Sequence, residues 1–163
     1  MFFLKFLFQK VSILNANVLN IKKILKILPH RYPFLLIDRI LDYKTFDFLQ
    51  ALKNCTINEP FFQGHFLKKP VFPAVLIIEA MTQAAAILIY KSTGYLNINK
   101  LYYFVGIEHA RFKKNVIPGD QIFIDVFYLE NKKNLIKFKA IAVVQNIKIC
   151  YATIIFYKKS IIK

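Results

Sequence analysis

The 163-residue chain holds four glycines, two cysteines and nine acidic residues. With so little glycine there is no phosphate-cradling P-loop, no GxGxxG fingerprint and no GxSxG nucleophile elbow. The two cysteines, Cys55 and Cys150, lie far apart with no CxxC spacing, which excludes a disulfide framework and a zinc site. No paired metal-ligand spacing occurs elsewhere. Free cysteines in such small number fit a reduced, cytoplasmic compartment. The shortage of acids leaves 24 Lys and Arg poorly balanced, for a formal net charge of +15. A balance of that kind points to an acidic partner: nucleic acid, an anionic membrane face or an acidic protein.

The excess positive charge is in the flanks. Residues 1–37 carry six basic side chains and no acid, and residues 131–163 carry eight and no acid. The middle is close to neutral, with ten basic residues against all nine acids. A nucleic-acid binder concentrates charge beside its reading element, so nucleic acid is not the expected partner. Lys, Asn, Ile and Phe are all favoured by AT-rich codons, and part of the charge is attributable to that bias. Hydrophobic residues make up 56% of the chain, enough for one sizeable core.

Two segments raise the question of targeting or membrane insertion. The apolar start, MFFLKFLFQKVSIL, is broken by Lys5 and Lys10 and lacks an A-x-A-like cleavage site. Residues 1–19 are therefore read as an N-terminal extension, and 20–163 as one domain. Val71–Tyr90 is long enough to span a membrane. Pro73, Glu79, Thr82 and Gln83 fall inside it, however, and a central carboxylate is costly in lipid. An all-apolar helix is equally the core of a soluble protein wrapped by sheet.

Periodicity predicts a short amphipathic helix over Asn20–Leu28, stopped by Pro29. Phe34–Tyr43 and Phe46–Ile57 read as strands, and Phe61–Pro70 as a loop. Pro73 opens a long helix running to about Lys91, closed by a Ser92–Gly94 turn and followed by a polar loop to Lys100. Four strands follow: Leu101–Phe112, Gln121–Leu129, Leu135–Val144 and Ile147–Tyr157. They are separated by turns at Pro118–Asp120, Asn131–Asn134 and Gln145–Asn146. In the third of these strands Ile136, Phe138, Ala140 and Ala142 alternate with Lys137, Lys139, Ile141 and Val143. The class is α+β, and a single sheet buries such a helix only by curling round it.

Of the three histidines, His30 and His109 read as surface or structural hydrogen-bonding residues. His65 differs: it lies between Gly64 and Phe66 in an aromatic loop just before the apolar helix. Glu79 sits about six residues into that helix, about 9 Å from its start, among Ile77, Ile78, Ala80 and Met81. A carboxyl in such surroundings is expected to have a raised pKa, which suits a general acid. The alternative for Glu79 is a solvated stripe shared with Gln83 and Ala86.

Four stretches together resemble the FabZ-type (3R)-hydroxyacyl-[acyl-carrier-protein] dehydratases: LPHRYPFLLIDRI (28–40), NEPFFQGHF (58–66), KPVFPAVLIIEAMTQAA (69–85) and LYYFVGIEHARFKKNVIPGDQI (101–122). The similarity runs from about residue 20 to the C-terminus. The resemblance implies a hot-dog fold, with a long central helix wrapped by a curved antiparallel sheet. It implies a homodimer with shared active sites, commonly built into a hexamer as a trimer of dimers. His65 from one subunit and Glu79 from the other are then the catalytic pair, and the backbone N–H of Ala74 is the oxyanion donor. Either His65 takes the α-proton and Glu79 protonates the leaving hydroxyl, or His65 makes both transfers while Glu79 orients the hydroxyl.

Phe72, Val75, Tyr90, Tyr103 and Phe104 are candidates for an acyl tunnel, with ordinary core packing as the alternative for each. Arg111, Lys113 and Lys114 are candidates for contact with acyl carrier protein. No cofactor, metal, nucleic acid or membrane insertion is implied. Three positions depart from the family pattern: Ala74 replaces the usual Gly, Leu67 the usual Pro, and Asn115 a common Pro. Glu at 79 favours the plain dehydratase over the related dehydratase–isomerase, which usually has Asp. A non-catalytic acyl-binding hot-dog protein is the competing reading. It would not need both His65 and Glu79.

Overall fold

The computed structural model describes residues 17–94 and 100–160. The predicted polar loop before Lys100 lies in part outside them, as do residues 1–16 of the N-terminal extension. Residues 17–19 run beside the sheet: Leu19 is buried and exchanges two backbone hydrogen bonds with Ile40.

Helix α1 is Ile21–Ile24, shorter than predicted. Asn20 caps it, its side-chain oxygen accepting the Lys23 N–H at 3.1 Å. Beyond it the chain tightens into turns, with Lys26 N–H bonding Lys23 O and Ile27 N–H bonding Ile24 O. Arg31 then turns back on this segment and donates to the carbonyls of Leu25, Leu28 and His30.

Six antiparallel strands form one sheet in the order β1-β2-β4-β5-β6-β3. They are β1 (Arg39–Lys44), β2 (Phe48–Asn54), β3 (Lys100–Phe112), β4 (Gln121–Lys132), β5 (Leu135–Val144) and β6 (Ile147–Ser160). The β4–β5 and β5–β6 hairpins turn on Lys133–Asn134 and Gln145–Asn146. All four of these residues have positive φ, as two-residue turns with the right twist require. The first turn is thus tighter than the predicted Asn131–Asn134, and β4 runs three residues further than its pattern indicated.

Helix α2 spans Ala74–Thr93 and packs against β2, β4, β5, β6 and β3. It begins directly after Pro73 and ends at Gly94, whose φ of 69° is the left-handed geometry that glycine adopts freely. Ala80, Met81, Gln83, Ala84, Ala85, Ile87 and Leu88 are fully buried. Ile136, Phe138, Ala140 and Ala142 of β5 face the core, as their alternation predicts. The segment that resembles a membrane span is the core helix of this sheet: 61% of its most apolar window is buried.

Two early strands are shorter than predicted, each for a local reason. Residues 34–37 do not join β1, because the backbone here is tied to α2 through Gln83: Leu36 N–H donates to its Oε1 (2.9 Å), and its Nε2 donates to Phe34 O (2.7 Å), while Asp38 N–H already bonds to Leu52 O of β2. Phe46 falls in the β1–β2 turn with φ 56°, its N–H donating to Ser92 Oγ. The predicted loop at 61–70 contains a short 3₁₀ helix, Pro60–Gln63.

That 3₁₀ helix is anchored by an ion pair made inside the fold. Lys53 is buried and reaches Glu59 Oε2 at 2.9 Å, while Glu59 Oε1 accepts the Thr56 N–H. Lys53→Met should lower unfolding stability by about 3 kcal/mol, because it strands a largely buried carboxylate. Urea unfolding followed by circular dichroism measures this, and a loss under about 1 kcal/mol would contradict it.

Candidate active site

His65 follows the 3₁₀ helix, its N–H bonding to Phe61 O. The ring is half-buried and stacks on Phe66 with centroids 4.2 Å apart. Its Nδ1 lies 2.7 Å from Val71 O. A carbonyl only accepts, so Nδ1 carries the proton and Nε2 keeps its lone pair in the neutral ring. Val71 N–H in turn bonds to His65 O at 3.1 Å, which fixes the two residues against each other. The resulting unit is a histidine base oriented by a backbone carbonyl.

A cleft of about 530 Å³ opens beside this ring. Phe72, Ala74, Ile77 and Phe112 line it, together with Lys113, Lys114 and Asn115. Ala74 is the first residue of α2, and its N–H makes no hydrogen bond among the described residues. A free N–H at a helix N-terminus is a donor for developing negative charge, supported by the helix dipole. Ala74 is absent from the residues of positive φ, so the alanine carries no left-handed strain. Ala74→Gly should therefore leave kcat within about twofold and cost no more than about 1 kcal/mol of stability. Steady-state kinetics and thermal melting check both.

Glu79 does not line the cleft that holds His65. Nor is it the isolated carboxyl in an apolar shell that its neighbours in sequence predict. Its side chain is 21% exposed, and two polar groups converge on Oε1. Gln83 Nε2 donates to Oε1 at 2.9 Å, and His30 Nε2 lies 3.5 Å from the same atom. Sequence reading placed Gln83 on the stripe of Glu79 but gave it no role, although the i, i+4 spacing was the available signal. For His30, 49 residues away from Glu79, there was no local signal.

Among the tunnel candidates only Phe72, buried at the cleft wall, lies beside His65. Val75 is exposed on the first turn of α2, Tyr90 packs partly buried against the core near the other end, and Tyr103 and Phe104 are exposed on β3. Of the carrier-protein candidates, Lys113 and Lys114 line the cleft and Arg111 does not. Lys113 Nζ sits 5.6 Å over the Tyr151 ring, and Lys148, which sequence reading passed over, faces the same ring at 5.7 Å. His109 lies at a bulge of β3 with φ 55°. Both cysteines are free and buried, and burial pushes the Cys55 thiol up to about 12 and Cys150 to about 11. Neither thiol is a nucleophile near neutral pH.

A FabA-like domain model matches residues 28–153. The chain is 72% identical over 147 residues to the 3-hydroxyacyl-[acyl-carrier-protein] dehydratase FabZ of Buchnera aphidicola subsp. Schizaphis graminum, covering 90% of this chain and 97% of that one. It is 52% identical over 139 residues to the FabZ dehydratase of Escherichia coli O139:H28, covering 85% and 92%. The chain belongs to the FabZ dehydratase family. It is a hydro-lyase, and the expected α+β hot-dog architecture is the one observed. Among solved structures, the dehydratase heterocomplex ApeI:P from Xenorhabdus doucetiae matches with a TM-score of 0.69 at 15% identity, covering 84% of this chain and 91% of that one. A hot-dog-like protein from Thermanaerovibrio acidaminovorans matches with a TM-score of 0.59 at 13% identity, covering 72% and 84%. At those identities the likeness concerns the fold.

Proposed function

We propose that this FabZ-family enzyme works as a homodimer whose two active sites each take His65 from one subunit and Glu79 from the other. The reaction is dehydration of a 3-hydroxyacyl-[acyl-carrier-protein] to the trans-2-enoyl thioester in fatty acid biosynthesis. One observation carries the composite site: Glu79 lies outside the cleft occupied by His65 in its own chain. The edge of β3 supports it. Among the described residues this strand pairs only with β6, and it leaves Tyr103, Val105 and Ile107 exposed along its length. An open apolar edge of that kind pairs with a second copy in an isologous dimer.

In this reading His65 Nε2 removes the α-proton, and the electron pair moves toward the thioester carbonyl oxygen. The Ala74 N–H receives the charge that develops there. As the double bond forms, the β-hydroxyl takes a proton from the Glu79 carboxyl and leaves as water. Return of the proton from imidazolium to carboxylate resets the pair.

One observation favours the alternative in which Glu79 orients the hydroxyl and His65 makes both transfers: Gln83 donates to Oε1, which holds that oxygen as an acceptor.

Lys113 and Lys114 beside the cleft suit an acidic carrier protein. The long apolar helix is committed to the core, which supports a cytoplasmic enzyme without membrane insertion. Incubating the protein with a 3-hydroxyacyl-[acyl-carrier-protein] and following enoyl formation tests the activity. Binding without turnover would instead support the non-catalytic acyl-binding reading.

A further inference from the structure

We infer that His30 is a positioning residue for the reaction: it holds Glu79 by one carboxyl oxygen so that the other is free to meet substrate. The inference rests on the reading of Glu79 as the acidic partner of His65. Gln83 and His30 both engage Oε1, and Oε2 has no hydrogen-bond partner among the described residues. The two carboxyl oxygens therefore have different duties.

The amide of Gln83 cannot be flipped without breaking the arrangement. Its oxygen is fixed by the Leu36 N–H and its nitrogen by Phe34 O, so its remaining N–H must face Glu79. His30 is held with similar definition. Arg31 ties down its carbonyl at 2.7 Å, and Phe34 stacks on its ring with centroids 6.0 Å apart. Its Nδ1 is buried with no hydrogen-bond partner among the described residues. A buried N–H without an acceptor is costlier than a bare ring nitrogen, so the proton of the neutral ring sits on Nε2, facing Glu79. The 3.5 Å separation is long for a hydrogen bond, and a small closing movement on substrate binding makes it one.

The test is a double-mutant cycle in the intact enzyme using His30→Phe, His30→Gln and Glu79→Gln. His30→Phe should lower kcat about 10- to 100-fold with little change in KM, as expected when a reacting group is misplaced. His30→Gln keeps an N–H donor and should recover part of that loss. In the Glu79→Gln background, His30→Phe should cost nothing further. Thermal melting identifies a variant that has failed to fold, in which case His30→Gln carries the comparison. Equal losses from His30→Phe in both backgrounds, or undiminished kcat in a folded His30→Phe, would overturn the inference. Full turnover in Glu79→Gln alone would instead remove the reading on which it rests.

Discussion

His65→Ala is expected to lose about 10³-fold or more in kcat/KM on a 3-hydroxyacyl-[acyl-carrier-protein], with the fold intact. The expectation follows from the tautomer. Nδ1–H donates to Val71 O, so the neutral ring offers Nε2 as a base with a fixed direction. General-base catalysis of this kind contributes about 10²- to 10⁴-fold, and no neighbouring group replaces it. The other ionisable side chains lining the cleft are Lys113 and Lys114. On the reading that Lys113 and Lys114 meet the carrier protein, KM for the carrier-bound substrate should change far less than kcat. Measuring kcat and KM separately checks this, and a loss confined to KM would contradict the assignment.

Glu79→Gln is expected to reduce kcat by about 10²- to 10³-fold. The substitution preserves shape and can still meet the Gln83 amide, so helix packing should be undisturbed. What disappears is the exchangeable proton and the negative charge, one of which the reaction needs in either reading of Glu79. The side chain is partly exposed and held through Oε1 alone, an arrangement that structural packing does not require. A variant retaining more than about a third of wild-type kcat would show that Glu79 takes no part in the proton chemistry.

The core of the fold was legible because its patterns are local. Alternation through most of β5, a long and mostly apolar helix between Pro73 and Gly94, and short turns near Asn134 and Asn146 each declare themselves within a few residues. The errors fell where side chains override the backbone pattern. Residues 34–37 have strand-like composition, yet the backbone of Phe34 and Leu36 bonds to Gln83 of α2, and pairing with β2 begins only at Asp38. Helix α1 ends early because the chain tightens into i,i+3 turns at Lys26 and Ile27, and Arg31 takes up the carbonyls of Leu25 and Leu28 left free there.

For the site, His65, Ala74 and Glu79 could be named as candidates from motif and position, but the surroundings of Glu79 could not. Its sequence neighbours are apolar because they face the sheet, while the carboxyl itself points to Gln83 and His30. One of those partners is a helical turn away and the other comes from a distant loop. A tertiary contact of the second kind leaves no trace in one sequence. The net charge of +15 was a weaker guide: the cleft draws on Lys113 and Lys114 of the nearly neutral middle, and not on the basic flanks.

The central claim is that each active site joins two chains, and a mixed dimer tests it most directly. Co-expression of His65→Ala and Glu79→Gln chains with different affinity tags allows the verified heterodimer to be purified. One of its sites then carries both substitutions and the other carries neither. Its turnover should recover to about half that of the wild-type dimer, far above either inactive parent. A heterodimer no more active than its parents would contradict the shared site and place both residues' work within a single chain.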